Sequence, residues 1–177
     1  MEISLEQNGD ELFFHLETDE EDERHLKSAK VGLAGNKAMI NLGGLKIEDI
    51  HPDLIGLSTI LMCHQFVGSE LRLPVSVSKE FYEASNGILS KYKISADIGS
   101  GIKPNLPPVR PRPGLAFSGG ADSTAALAVM PHSTEPVFML RSESKSRTLY
   151  DSQAAIESCR ELSKLGYRVH IIESDFE

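Results

Sequence analysis

Six consecutive residues, Ser118 to Ser123, combine side chains that could hold an anion. They read SGGADS and so supply two adjacent glycines, two hydroxyls and one carboxylate. Glycines at 119 and 120 allow backbone conformations that other residues avoid, and they let a bulky group approach the chain closely. Successive backbone N–H groups at the start of a helix form an anion-binding nest, and serine hydroxyls can donate to phosphate oxygens. The stretch therefore predicts a polyphosphate site.

The carboxylate in this loop indicates a cation. Asp122 would repel a phosphate group unless a metal ion such as Mg²⁺ joined the two. A simpler alternative is that Asp122 and Ser123 only cap a helix, because Asp and Ser are good N-cap residues. The complete loop favours a magnesium-bound polyphosphate held by Ser118, Gly119, Gly120, Asp122 and Ser123.

The elements around the loop are those of an α/β protein. Strands that alternate with helices imply right-handed crossovers and a parallel sheet. In such sheets ligands gather beyond the carboxyl ends of the strands, which is where SGGADS lies. The predicted elements are a strand at 114–117, a helix at 121–130 that stops before Pro131, a strand at 136–141, a helix at 150–166 and a strand at 167–174.

The loop and its flanks resemble the PP-loop superfamily, also called N-type ATP pyrophosphatases. The signature of that superfamily is S-G-G-x-D-S after the first strand of a parallel sheet, and Ser118, Gly119, Gly120, Asp122 and Ser123 match it in full. The resemblance covers residues 113–177. It is not a Walker loop, because G-K-[S/T] is absent. The superfamily includes GMP synthetase, asparagine synthetase and 7-cyano-7-deazaguanine synthase, and the resemblance implies a parallel-sheet nucleotide-binding domain of the HUP, Rossmann-like type.

The resemblance also implies an activity. ATP would be cleaved to AMP and pyrophosphate so that a small, nucleoside-like acceptor is adenylated and then attacked by a nitrogen or sulfur nucleophile. Catalysis would rest on positioning and charge neutralisation, with ATP and Mg²⁺ as cofactors. Asp122 and Ser123 are the implied catalytic residues, and Asp122 the implied metal contact through magnesium pyrophosphate. The implied ATP-binding residues are Ala116, Phe117, Ser118, Gly119, Gly120, Asp122, Ser123, Leu140 and Arg141.

Two alternatives stay open. Arg141, Lys145 and Arg147 either neutralise the phosphates or form a solvated basic loop. The chain is either an adenylating enzyme or a non-catalytic adenine-nucleotide-binding or regulatory module, since a fold and a loop do not establish turnover. Members of the superfamily commonly have about five strands in this sheet, whereas three are visible here. We therefore expect a truncated domain or a fragment.

A proline-rich segment precedes the nucleotide-binding domain. Five of the nine prolines lie within residues 104–113, which predicts a stiff linker because proline fixes φ and lacks an amide donor. Residues 1–103 then form a small α+β accessory domain, and residues 114–177 the PP-loop domain. The apolar faces of a three-stranded sheet need cover, and we expect the accessory domain, a second copy of the chain in a homodimer, or both to supply it.

Apolar patterns predict the elements of the accessory domain. Alternating residues around NGD (8–10) indicate a β-hairpin, and residues 31–34 and 38–42 around GNK indicate a second one. The acidic run ETDEEDE (17–23) is expected to be a solvated loop, because clustered like charges resist burial. Helices are predicted at 51–68 and 78–92, and a last strand at 91–98.

Composition excludes several classes of protein. The net charge of −8 makes nucleic acid an improbable partner. The start of the chain lacks the pattern of a signal peptide and no apolar run could span a bilayer, so we expect a cytoplasmic protein without a membrane partner. Cys63 and Cys159 are expected to be buried structural thiols. Without metal-ligand spacing, all six histidines are interpreted as surface or structural residues: His15, His25, His51, His64, His132 and His170.

Overall fold

The chain has an α/β fold that divides into two compact units, Met1–Leu106 and Pro107–Glu177. We call these the N-terminal and the C-terminal unit. The computed structural model describes residues 1–89, 91–141 and 152–175. No helix within these ranges is long and apolar enough to cross a membrane.

The N-terminal unit is built on five strands in the order β5-β4-β1-β2-β3. Antiparallel pairing joins β1 to β2 and β2 to β3, whereas β4 runs parallel to both β1 and β5. The elements are β1 (Glu2–Asn8), β2 (Glu11–Glu17), α1 (Glu20–Ala29), β3 (Lys37–Asn41), a 3₁₀ turn (Ile47–Asp49), α2 (Pro52–Cys63), β4 (Glu70–Arg72), α3 (Lys79–Ile88) and β5 (Lys93–Ser95).

The first hairpin is confirmed. Asn8 pairs with Glu11 at its turn, Ile3 pairs with Leu16, and Gly9 has a φ of 61° that suits glycine. Alternation places the apolar side chains of both strands in the core of the unit, as the sequence pattern requires. Fully or almost fully buried core residues include Ile3, Leu12, Phe14, Cys63, Leu71, Val77 and Ile94.

The second predicted hairpin is wrong. Residues 38–41 belong to β3, but residues 31–34 form no strand, and β3 pairs instead with β2 of the first hairpin. The chain leaves α1 through Lys30, which has a left-handed φ of 55°, and the N–H of Val31 donates to the carbonyl of Leu26. The apolar residues at 31–34 therefore follow a helix end, and β2 already supplies the partner that β3 needs.

The loop predicted at residues 17–23 is wrong, because α1 begins inside this acidic run, although all of its residues except Asp22 are exposed as expected. Asp19 is its N-cap residue and forms a capping box with Asp22, and acidic residues in a first turn are favoured by the helix dipole. Asp22 is fully buried, lying 2.8 Å from the Met1 ammonium and accepting a 2.7 Å hydrogen bond from the Gly68 N–H. Like-charge repulsion was outweighed by the backbone and ammonium donors that surround this carboxylate.

Both predicted helices of this unit are present but shorter. Proline at the first position of α2 is tolerated because that N–H would have no helical partner. The last predicted strand is reduced to β5, with an isolated bridge between Val77 and Ile98. Strand β4 was not predicted, because its three residues are too few to show the alternation of apolar and polar residues that indicates a strand.

The described residues of the C-terminal unit form three parallel strands in the order β8-β7-β6, as the alternation of elements predicts. Its core is formed by buried residues of the strands and of both helices: Phe117, Leu127, Phe138, Ala155, Cys159 and Leu162. The elements are β6 (Gly114–Ala116), α4 (Ala121–Val129), β7 (Glu135–Arg141), α5 (Ser152–Lys164) and β8 (His170–Ser174).

Local signals explain where these helices end. Met130 has an extended ψ of 160°, the conformation expected before Pro131, so α4 cannot continue. Helix α5 ends at Lys164, and Gly166, two residues later, has a left-handed φ of 89°. The N–H of Tyr167 donates to Leu162 and that of Gly166 to Ser163, which is the bond pair of a Schellman motif. Both helices of the C-terminal unit therefore end at positions that nearby residues determine.

Candidate phosphate-binding site

The SGGADS loop lies at the carboxyl end of β6, between the strand and α4. The N–H of Phe117 still donates to the Val137 carbonyl at 2.8 Å, so strand pairing continues one residue beyond Ala116. The Phe117 side chain is only 4% exposed and packs in the core of the unit. Ala116 and Phe117 therefore anchor the loop, and a ligand could contact Phe117 only through its backbone carbonyl.

Gly119 holds the turn of the loop in a conformation reserved for glycine. Its φ is 78°, and a Cβ atom built there would lie 3.3 Å from the Cα of Ala155 and 3.6 Å from its Cβ. The first turn of α5 thus packs directly against the loop. This contact was not predicted, because Ala155 gives no sequence signal beyond being small.

The two loop hydroxyls bond to each other across the turn. Ser118 Oγ and Ser123 Oγ are 3.3 Å apart, and the Ser118 N–H points to the same Ser123 oxygen at 3.4 Å. Ser123 Oγ donates to the Gly120 carbonyl at 3.0 Å, so its lone pairs accept from Ser118. This network holds both serines on one side of the loop before any ligand binds.

The start of α4 presents free backbone donors. Gly120 is the N-cap residue and has no side chain with which to cap the helix. Within the described part of the chain, no acceptor faces the N–H groups of residues 121–123, whereas the Thr124 N–H bonds to the Gly120 carbonyl. Three N–H groups and the positive end of the helix dipole therefore face the same space, which is an arrangement that binds anions.

Asp122 is exposed at the second position of α4. No side-chain hydrogen bond caps this helix, so neither Asp122 nor Ser123 has the capping role that was the simpler alternative. Among the described residues Asp122 has no hydrogen bond or ion pair, and its carboxylate is available to a cation. Among the residues that the structure describes, no group of three or more His, Cys, Asp or Glu side chains could hold a metal ion.

The residues expected near adenine lie at the end of the neighbouring strand. Ala116 is in register with Val137, so Leu140 and Arg141 lie three and four residues farther along β7, at about 10 and 13 Å. Leu140 is partly buried against the core, and Arg141 is exposed. Lys145 and Arg147 lie outside the described residues.

The histidines of this unit lie away from the loop. His132 stacks on Tyr167, with ring centroids 4.6 Å apart. His170 contacts Glu135 at 2.8 Å near the amino end of β7, which is the end opposite the loop. Hydrogen bonds from Arg112 and His170 lower the pKa of Glu135, which is consistent with a structural ion pair.

Three of the remaining histidines and both thiols have structural environments, and His64 is exposed. His15 pairs with Glu6, and His25 and His51 contact backbone carbonyls at 3.2 and 2.9 Å. Cys63 and Cys159 are buried and unpaired, as predicted. Burial raises the pKa of the Cys63 thiol to about 12 and also raises that of Cys159, so neither is a nucleophile at neutral pH.

Comparison with known proteins gives no match. No protein-family model matches the chain, and neither a curated protein nor a solved structure matches it. The structure shows an α/β protein with free backbone donors at the start of α4, and its function must be argued from the loop that leads into this helix.

Proposed function

We propose that the C-terminal unit binds ATP with Mg²⁺ at residues 118–123, and that the protein is an ATP-dependent adenylating enzyme of the PP-loop type. The observation that carries this proposal is the start of α4 directly after a parallel strand, where no described side chain caps the helix and Asp122 has no hydrogen bond or ion pair to a described residue. Free N–H groups at a helix start bind an anion. A carboxylate beside them would repel that anion unless a cation is bound between the two, so the arrangement favours an anion that binds together with a cation.

The chemistry of the loop fits a pyrophosphate group. The N–H groups of residues 121–123 supply three donors, and the Ser118 hydroxyl would supply a fourth by turning from Ser123 to a phosphate oxygen. Magnesium would supply charge neutralisation between the phosphates and Asp122. Because the loop holds no lysine, this neutralisation would otherwise rest on backbone dipoles alone. The phosphates of ATP are therefore the ligand that this set of groups serves best.

The order of strands supports a nucleotide-binding domain of the HUP, Rossmann-like type. Numbered within the C-terminal unit, β8-β7-β6 is the order 3-2-1 of one half of a doubly wound sheet, in which the first loop binds phosphate. Leu140 and Arg141 then lie about 10 to 13 Å from the end of β6 along the strand direction, a reach suited to the adenosine end of ATP.

In the reaction that we propose, an oxygen of a small acceptor attacks the α-phosphorus of ATP and the bond to the β-phosphate breaks. Pyrophosphate leaves, and a nitrogen or sulfur nucleophile then displaces AMP from the acceptor. In this reaction the N–H groups of α4 hold the departing pyrophosphate, and the hydroxyls of Ser118 and Ser123 exchange their bonds within the loop for bonds to it. Asp122 orients the cation that accompanies it. No side chain of the loop needs to act as a nucleophile, since positioning and charge stabilisation carry the step.

Calorimetric titration of the full chain with ATP, with and without Mg²⁺, tests the binding step. Asp122→Asn should abolish the magnesium dependence, whereas Glu161→Gln, an exposed acidic residue of α5, should behave as the wild type. Unchanged magnesium-dependent affinity in Asp122→Asn would refute the site. Products are tested separately with candidate acceptors: AMP and pyrophosphate support an adenylating enzyme, and ADP with phosphate contradicts it. Binding without turnover across nucleoside-like acceptors would favour the non-catalytic nucleotide-binding module.

A further inference from the structure

Helix α2 of the N-terminal unit is apolar on every side, yet one side of it is exposed. Its only charged residue, Asp53, is 4% exposed, whereas Leu54, Leu57 and Leu61 are 44%, 43% and 72% exposed. Positions i, i+3 and i+7 share one stripe of a helix, so the three leucines form a continuous apolar row. A helix of this kind is normally covered on all sides.

A groove opens beside the first half of this row. Its volume is about 200 Å³, and Asp53 within it is occupied by hydrogen bonds from Ser78 and Asn105. The Phe81 ring reaches α2 because Gly56 has no side chain: a Cβ there would lie 3.0 Å from Phe81 Cε1. The groove is lined by Asp53, Leu54, Leu57, Phe81, Pro104 and Asn105.

The row and the groove are complementary to each other about a two-fold axis. Leu61 is the most exposed leucine of the row and protrudes near its C-terminal end, whereas the groove flanks Leu54 and Leu57 near the N-terminal end. If two α2 helices meet antiparallel with the axis between Leu57 and Ser58, Leu61 of each copy lies opposite Leu54 of the other. Each protruding leucine then enters the groove of its partner, as an isologous interface requires.

We propose that the face of α2 formed by Leu54, Leu57 and Leu61 is a homodimer interface between two copies of this chain. The distribution of charge is compatible with a second copy of the chain at this face. The chain carries a net charge of −8, but the exposed residues of α2 carry no charge. Two copies can therefore meet here without direct like-charge contact. Depletion of charged residues is also characteristic of the centre of protein interfaces. All the residues involved lie within Met1–Leu106, so the inference is independent of the proposed ATP site.

Sedimentation of the full chain over a range of concentrations tests the interface. The wild type should show a reversible monomer–dimer equilibrium. Leu61→Glu should raise its dissociation constant about 100-fold or more, because each dimer loses two central leucines and gains two unpaired charges. Ile88→Glu is the matched control: Ile88 is 81% exposed on α3, and its substitution should leave the equilibrium unchanged. Circular dichroism verifies that both variants are folded.

Cross-linking gives an independent measurement. Ser58→Cys near the axis should form covalent dimers with a short bismaleimide, whereas Ala84→Cys on α3 should not, since the native thiols are buried. A wild type that stays monomeric overturns the proposal, and so does a dimer that Leu61→Glu leaves intact. In a monomer, slow thiol labelling of Ser58→Cys would assign the face to another part of the same chain, and fast labelling to a different protein; both results contradict a homodimer.

Discussion

Replacing Gly119 by alanine tests the geometry of the loop most directly. A non-glycine residue at the φ of 78° costs about 1–2 kcal/mol, because its Cβ crowds the following carbonyl. The new methyl would also lie 3.3 Å from the Cα of Ala155, a backbone atom of α5 that cannot turn aside. We therefore expect Gly119→Ala to lower the free energy of unfolding by at least about 1–2 kcal/mol.

The adjacent glycine supplies a matched control. Gly120 has an ordinary φ of −83°, and a Cβ there would meet only Ser118 Oγ at 3.5 Å. Serine is a slightly better N-cap residue than glycine. Gly120→Ser should therefore leave the free energy of unfolding unchanged or raise it by about 0.3 kcal/mol. Urea unfolding followed by circular dichroism compares both variants with the wild type. Equal loss of stability in the two variants would refute the left-handed turn at Gly119.

The same substitution should weaken the ATP binding that we propose. If Gly119→Ala relieves its strain by leaving the left-handed conformation, the N–H groups of α4 and the Ser118 hydroxyl no longer converge. Restoring the turn on binding would then cost the same 1–2 kcal/mol, which corresponds to an affinity about 5- to 30-fold lower. Calorimetry with ATP and Mg²⁺ measures this change. Full affinity together with lost stability would show that the turn does not shape the ligand site.

Two further predictions concern buried carboxylates of the N-terminal unit. Burial opposes the charge of Asp53, but hydrogen bonds from Ser78 and Asn105 outweigh it and lower the pKa of this carboxyl below 3.8. The charged Asp53 therefore stabilises the fold above pH 3.8, and this stabilisation is lost as the pH falls through the lowered pKa. Asp53→Asn should flatten this acid-induced loss in thermal melts at about pH 2 to 5, which spans the fall below the unfolded pKa. A slope equal to that of the wild type would contradict the assignment. Asp22→Ala should cost about 1–3 kcal/mol in urea unfolding, because it leaves the buried Gly68 N–H without an acceptor, while the Met1 ammonium keeps only Asp19 and the Glu70 carbonyl. A loss below about 0.5 kcal/mol would contradict the buried pair.

The elements of the C-terminal unit could be predicted from the sequence because their signals are local. Alternation of short apolar strands with helices, Pro131 after α4 and Gly166 after α5 each act within a few residues. The loop was readable for the same reason. Its packing was not: the contact between Gly119 and Ala155 joins two segments that are distant in sequence, and no pattern in either segment encodes it.

The wrong predictions in the N-terminal unit have a different cause, because the contacts that decide the structure there join segments that are distant in sequence. Repulsion within the acidic run indicated a loop, although Asp19 and Asp22 had the spacing of a capping box. Burial of Asp22 depends on Gly68, far along the chain, and so could not be predicted from the run alone. The strand pattern at 31–34 was misleading because pairing is a property of two segments, and β2 already provided the partner of β3.

The close packing of Gly119 against α5 also limits how the sequence can evolve. A larger residue at position 119 would meet the Cα of residue 155 at 3.3 Å whatever side chain stands there, and the left-handed turn would stay unfavourable as well. Selection on the loop therefore extends to a helix residue that is buried and need not touch any ligand. Among descendants of this chain that keep the loop, position 119 should stay glycine and position 155 should stay small, and larger side chains at position 155 should accompany loss of the loop.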